Sequence, residues 1–279
     1  MIFRTRFAPS PTGPLHLGHA YSALLAQDKA RANNGHFHLR MDDIDQNRAR
    51  AHWVDQIVED LMWLGVTWYG PIWFQNARSK QYRSALQRLW DLGLLYSCTC
   101  TRKDIKEAAN APQEGAPLIG PDGLVYPGTC RVDQFGSLPE HTVLRLNIYK
   151  SLKIFGIDEI SFLDGKQHHT KSADQITSEI GDIVVARKDM AASYHLSIVV
   201  DDADQKITQI IRGEDLRDAT FIHILLQKVL GFETPTYQHH GLIRDDAGKR
   251  LAKRDDARAI AKFREDGMSP MDVRRLVGL

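Results

Sequence analysis

The sequence predicts an open α/β fold whose two halves are separated by an insertion. Three observations predict it. Residues 2–7 form a short apolar run with Ile2, Phe3 and Phe7, the pattern of a buried strand. After the breakers Pro9, Pro11, Gly13 and Pro14, apolar residues recur every three or four positions from His16 onward, the pattern of a helix. Similar strand and helix patterns return further along, and a Cys-, Pro- and Gly-rich stretch interrupts them in the middle. At 279 residues the chain can hold a full catalytic domain with one insertion, and its composition, 43% hydrophobic and 25% charged, is ordinary and globular. No apolar run approaches the ~20 residues of a membrane span. The first strand begins at once, so no signal peptide is expected. The net charge of +1 gives no bulk argument for a nucleic-acid partner, and leaves local basic patches open. Three cysteines, two of them in a C-x-C, suit a reducing cytoplasm and a metal site better than a disulfide framework.

The first element is strand, rigid loop, helix N-terminus. The opening turn of a helix has unpaired N–H groups and positive partial charge, and so suits a phosphate. His16 and His19 lie three apart on one face of that turn, with Gly18 between them. Glycine there would let a flat ring pack on the backbone. Two imidazoles beside a helix N-terminus can hydrogen-bond a phosphate whose charge grows during nucleotidyl transfer. An isolated H-x-x-H would equally start a helix by chance; the preceding strand and loop supply the context that the chemistry needs.

HLGH resembles the HIGH signature of class I aminoacyl-tRNA synthetases. The longer RFAPSPTGPLHLGHA, residues 6–20, is similar to the version in glutamyl- and glutaminyl-tRNA synthetases. The resemblance implies a Rossmann-like nucleotide-binding domain. It implies that Arg6, Phe7, Ala8, Pro9 and Ser10 line a glutamate site. It also implies that His16, Gly18 and His19 meet ATP, with the two histidines catalytic.

Gly35 is expected to cap the first helix, and residues 36–40 to form a second strand. RMDDIDQNR then falls at that strand's carboxyl end, where open α/β sheets bind ligands. Relatives read RIEDTD or RIEDID here, and their Glu contacts the substrate's α-amino group. The aligned residue is Asp42, shorter by one methylene, up to about 1.5 Å of reach. Amphipathic helices are expected over 52–64 and 80–92, with the Trp and Tyr residues around Pro71 packing core and loop.

A strand over 94–98 precedes Cys98 and Cys100; Cys130 follows a Pro/Gly-rich loop, four residues after Tyr126. On spacing alone, a metal site and three buried thiols are both open. The CTC and YPGTC motifs resemble those of glutamyl-queuosine tRNA(Asp) synthetases, whose Cys, Cys, Tyr and Cys bind zinc. That implies one structural zinc on Cys98, Cys100, Tyr126 and Cys130. The loop over 110–127 is long for the family and leaves Asp133 or His141 as substitutes for Tyr126. Strands are expected over 142–146 and 159–163, and QHHTK at 167–171 as an exposed turn. In the family this inserted region receives the tRNA acceptor end or the modified nucleotide.

Residues 182–186 return to the sheet. Tyr194 and Arg212, eighteen apart, match the spacing of the family's glutamate-binding Tyr and Arg. An Arg fork pairs with both oxygens of a carboxylate. Arg212 ends a strand expected over 207–211; Asp201 and Asp202 are expected at a helix end and loop. A buried helix is expected over 219–230, with Gly231 past its end. GKRLAKRDD resembles the KMSKS signature, placing Arg250 and Lys253 on ATP phosphates, Lys253 as the catalytic cation. The chain stops within about 25 residues of that motif, so the family's anticodon-binding domain is expected to be missing.

The expected organisation is therefore a first catalytic half over 1–95, a zinc- and acceptor-binding insertion over 96–181, and a second half over 182–279 ending in a short helical segment. The resemblance implies a cytoplasmic, monomeric ATP-dependent ligase. It would activate glutamate as the adenylate, with magnesium travelling on ATP, and transfer it to the queuosine of tRNA(Asp). A tRNA 3′ end, a small metabolite as acceptor, or a non-catalytic binding role are the alternatives.

Overall fold

Short apolar runs, each needing a partner to cover it, dictate the architecture. The computed structural model describes residues 2–109, 119–243 and 258–279. The chain falls into two units. One contains the chain up to Ala77, Lys206–Arg217 and everything from Pro235 onward; the other contains Arg78–Gln205 and Asp218–Thr234.

The first unit opens with β1 (Arg4–Phe7), crosses over through α1 (Leu17–Ala32) and returns as β2 (His36–Met41). β2 runs parallel to β1, with Arg4 opposite His36 and Phe7 opposite Leu39. A parallel pair requires such a crossover. The buried residues of α1 are mostly small, Ala20, Ala23, Ala26 and Ala30 around Leu24, so it can lie close on the sheet. The helix ends at Asn33, and Asn34 takes the left-handed turn at φ 49°. Gly35 is thus not the expected cap. It is glycine because an added Cβ would stand 2.4 Å from the carbonyl oxygen of Phe3. α2 (Ala51–Trp63) buries Ile57 and Leu61, and β3 (Trp73–Phe74) pairs parallel with the end of β2.

The second unit continues with α3 (Ser79–Asp91), β4 (Leu95–Cys98), α4 (Arg102–Ala109) and a two-residue-per-strand hairpin, β5 (Ile119–Gly120) and β6 (Gly123–Leu124). Next come β7 (Val143–Leu146), α5 (Ile148–Ile154), β8 (Glu159–Asp164), β9 (Gln167–Ser172), α6 (Ala173–Glu179), β10 (Val184–Ala186) and α7 (Tyr194–Asp204). β7 lies between β4 and β10, antiparallel to both. QHHTK is not an exposed turn: it is β9, paired antiparallel with β8, and the reversal falls at Gly165 and Lys166. The alternation half-buries His169, which stacks on Phe162 at 5.1 Å, and exposes His168. Asp201 and Asp202 are likewise not loop residues. Both are buried within α7, where Asp201 accepts from Arg78 Nε at 2.6 Å and from the Tyr82 hydroxyl at 2.9 Å.

β11 (Gln209–Gly213) returns to the first unit, two residues later than expected. Thr208 ties it to β1: its N–H donates to the Arg4 carbonyl at 2.9 Å, and its hydroxyl accepts from Arg4 N–H at 2.8 Å. α8 (Ala219–Leu230) belongs to the second unit and ends at left-handed Gly231. β12 (Thr236–His240), α9 (Ile260–Glu265) and α10 (Pro270–Leu276) complete the first unit, β12 parallel to β11. One core joins Phe7, Leu15, Leu24, Leu39, Ile57, Leu61, Ile211, Ile260 and Val273. Burying a side chain of this size contributes about 1.5–3 kcal/mol. This core fixes the carboxyl ends of β1, β2 and β11, where the polar loops begin.

Candidate active site and metal centre

The Pro/Gly loop after β1 is held by its own carbonyls. Pro9 accepts from Asp42 N–H and Pro11 from Arg50 N–H, both at 3.0 Å. The loop delivers His16 as the N-cap of α1. His16 Nδ1 accepts from Gly18 N–H, and His19 Nδ1 accepts from His16 N–H, each at 3.1 Å. This is a capping box made from two imidazoles. A ring nitrogen that accepts cannot carry the proton, so in neutral imidazole each proton sits on Nε2. Both rings, stacked at 3.8 Å and tilted by 32°, therefore present Nε2–H donors beside the helix N-terminus. Glycine at 18 also suits the box: a Cβ would stand 3.0 Å from His16 Cε1 and 3.1 Å from Nδ1, so the ring would have to shift by a few tenths of an ångström.

Arg6 and Phe7 are buried at the end of β1, with Ala8 and Ser10 progressively more open. Asp42 follows the last residue of β2 and is 8% exposed. Its Oδ1 accepts from Nε of Arg40 at 3.0 Å, and Arg40 is fully buried. The pair holds the carboxylate at a set height above the strand end. Asp43 is also committed, accepting from Asn76 N–H at 3.0 Å. Arg212, 6% exposed on β11, donates through Nε to His239 Nε2 and through Nη2 to the Leu216 carbonyl, both at 3.1 Å. Arg6, Asp42, Arg212, His16 and His19 all belong to the first unit, at the strand ends or the helix start that follows them. Tyr194 belongs to the second unit, as the first residue of α7, edge-on to His195 at 5.4 Å and His223 at 5.9 Å. Arg250 and Lys253 lie outside the described residues.

The cysteines meet in the second unit, where the Sγ atoms of Cys98, Cys100 and Cys130 lie within 4.8 Å of one another. The Tyr126 hydroxyl is 3.5 Å from Cys98 Sγ and 3.4 Å from Cys100 Sγ, and Cys100 is 3.3 Å from Cys130. Tetrahedral zinc with bonds of 2.0–2.3 Å would separate two sulfurs by about 3.8 Å and a sulfur and an oxygen by about 3.5 Å. The four donors fit that geometry. The substitutes are elsewhere: Asp133 pairs with Lys150 at 2.8 Å, and His141 faces the Lys188 carbonyl at 3.4 Å. The Tyr126 hydroxyl pulls the Cys130 thiol down to about 6. It acts on Cys100 in the same direction, but burial and the neighbouring thiols outweigh it and hold Cys100 above the usual range. Burial and the three thiols hold the Tyr126 phenol well above its ordinary value.

Three participants escaped the sequence reading. Arg40 sits two positions before Asp42 in a strand, a spacing that marks a shared face and nothing more. His239 meets Arg212 only because β11 and β12 pair in that register. Arg145, on β7, donates through Nε to Cys98 Sγ at 3.3 Å. No motif marks any of them.

Comparisons with known proteins give the chain's family. The profile of tRNA synthetases class I (E and Q), catalytic domain, matches residues 2–279. A glutamyl-Q tRNA(Asp) synthetase from Rhodobacter capsulatus is 56% identical over 279 residues, covering 99% of each chain. Its namesake from Rhodopirellula baltica is 39% identical, covering 97% of this chain and 82% of its own. A glutamate tRNA ligase from Elizabethkingia meningosepticum, crystallised in complex with its amino acid, aligns with a TM-score of 0.78 at 26% identity. That alignment covers 100% of this chain and 61% of the ligase. With the strand-end carboxylate, the buried arginine and the histidine capping box already in place, a match over almost every residue leaves one assignment: the chain belongs to the class I (E and Q) tRNA synthetase family, through its catalytic domain.

Proposed function

We propose that the chain activates glutamate with ATP and transfers it to the queuosine of a tRNA(Asp). The observation that carries the first step is the imidazole capping box. It commits both Nδ1 atoms to the helix and so puts the ring protons on the Nε2 atoms, beside a positive helix end. In the reaction, a glutamate carboxylate oxygen attacks the α-phosphorus of ATP, and magnesium pyrophosphate leaves. His16 and His19 stabilise the charge that develops on the phosphate, and Lys253, with Arg250, the charge on the leaving group. Gly18, without a side chain, lets a flat ring of ATP approach the backbone of the helix start. Arg212 and Tyr194 take the glutamate side chain. Asp42 takes the α-amino group, and Arg6, Phe7, Ala8, Pro9 and Ser10 form the wall. A hydroxyl of the acceptor then attacks the acyl carbon, and AMP leaves.

The choice of acceptor rests on relatives named for glutamyl-Q tRNA(Asp). We further propose one structural zinc on Cys98, Cys100, Tyr126 and Cys130, supported by the fit of the donor set. It would cross-link β4 to the loop after β6, within an insertion over 96–181 that parts catalytic halves over 1–95 and 182–279. A monomer working in the cytoplasm completes the reading. Among the described residues no helix is long and apolar enough to cross a membrane. The test is to charge total tRNA with labelled glutamate, digest with a guanosine-specific nuclease and locate the label. Label in the anticodon fragment of tRNA(Asp), lost with tRNA from cells that make no queuosine, is expected. Label on the 3′-terminal fragment would overturn the acceptor.

A further inference from the structure

We propose that Arg145 is the counter-charge of the Cys98–Cys100–Tyr126–Cys130 centre, a positioning residue that makes this donor set hold a divalent cation tightly. The inference rests on the reading of that centre as a zinc site. Arg145 lies in the middle of β7, opposite Tyr96 of β4 and Val184 of β10. A central strand position, only 7% exposed, ordinarily takes an apolar side chain. Among the described residues the guanidinium makes three contacts. Nε donates to Cys98 Sγ at 3.3 Å, Nη1 donates to the Asp182 carbonyl at 2.8 Å, and Cζ stands 3.9 Å above the Tyr126 ring.

None of these partners is a carboxylate. Asp182 turns its carboxylate elsewhere, accepting from the Tyr96 hydroxyl at 2.6 Å, Arg131 Nε at 2.8 Å and Ile148 N–H at 2.9 Å. A buried cation needs an anion close by. Cys98 Sγ, which gives up its proton when it ligates a metal, is the contacting group placed to supply one. The account also closes from the metal's side. Three thiolates and a phenolate around a dication carry two excess negative charges, and a fixed guanidinium against two of the four ligands offsets one. The bond to the Asp182 main-chain carbonyl stops the side chain from turning away. A hydrogen bond to the sulfur fixes its direction, which is what an outer partner does for a metal ligand.

If Arg145 only tied β7 to Asp182, removing it would weaken the metal-free and zinc-loaded proteins alike. The experiment separates the two. The full chain, Arg145→Lys and Arg145→Met are stripped of metal under reducing conditions. Each is titrated with zinc against a chromophoric chelator, and thermal unfolding is followed with and without zinc. The wild-type chain should take one zinc, and Arg145→Met should bind it about 10- to 100-fold more weakly. Arg145→Lys keeps the charge and loses the planar fork, so it should fall between them. The zinc-dependent rise in unfolding temperature should shrink in the same order. If Arg145→Met does not fold, the lysine variant carries the test. A wild-type chain that binds zinc, with folded variants that bind it as tightly, overturns the inference alone. A wild-type chain that takes no zinc overturns the zinc reading, and the inference with it.

Discussion

The proposed mechanism gives the two ring nitrogens of His16 separate tasks, and substitution can separate them. Its Nδ1 accepts from Gly18 N–H at 3.1 Å and caps α1, while Nε2–H faces the proposed phosphate site. Asn is among the best N-cap residues, and its Oδ1 can take the place of Nδ1 without reaching as far as Nε2. His16→Asn should therefore keep the cap and lose the donor; His16→Ala should lose both. Loss of an N-cap costs about 1 kcal/mol, which for a chain of this size lowers the unfolding temperature by about 2–4 °C. Loss of one transition-state donor costs about 100- to 1000-fold in rate. Glutamate-dependent ATP–pyrophosphate exchange should thus fall to a similar low level in both variants. Only the alanine variant should unfold early in a thermal scan. Unchanged exchange in His16→Asn would remove the histidine from the chemistry. Equal thermal loss in both variants would refute the division of labour between the two nitrogens.

Asp42→Asn leaves an oxygen for Arg40 Nε and removes the charge, so it should raise the glutamate KM about ten-fold or more, the worth of a charge-assisted bond. Asp42→Ala removes the oxygen that accepts from buried Arg40 Nε and should also cost about 1.5–3 kcal/mol of stability, read by urea unfolding; an asparagine variant with unchanged KM would clear Asp42 of substrate contact. Tyr126→Phe should bind zinc more weakly, and chelator should lower the wild-type unfolding temperature but not that of a Cys98→Ser, Cys130→Ser double variant; chelator acting equally on both would count against the site. Asp60 in α2 is fully buried, neither carboxylate oxygen has a hydrogen bond among the described residues, and burial raises its pKa from 3.8 to about 6 despite Arg264 Nη2 at 3.7 Å. A carboxyl raised on folding destabilises the folded state once it ionises. Asp60→Asn should therefore stabilise the protein by roughly 3 kcal/mol above pH about 6, with the gain fading as pH falls toward 4. A gain that did not vary over that range in urea unfolding would contradict the assignment.

The strand, loop and helix start of the candidate site were legible in the sequence because they are local. Residues 6–20 carry strand, breakers and helix start in one run, and a capping box is set by a spacing of three. The helices over 51–63, 79–91 and 219–230 followed from their apolar period within a residue or so. Strand ends were less certain, since β11 begins two residues later than its apolar run. What the linear pattern misread had a common cause, which is that the deciding partner lies far away in sequence. Gly35 looks like a helix cap until Phe3 is brought against it. QHHTK looks like a turn until β8 pairs with it. Asp201 looks like a loop acid until Arg78 and Tyr82 arrive from α3 and its approach. The cysteine spacing left a metal site and three buried thiols equally open; only the fold brings Tyr126 within 3.5 Å of the thiols. The sequence by itself thus determined the family and the residues that follow one another around the helix start. The tertiary structure decided which charges are paired, because pairing across strands depends on register, and register is a property of the whole sheet.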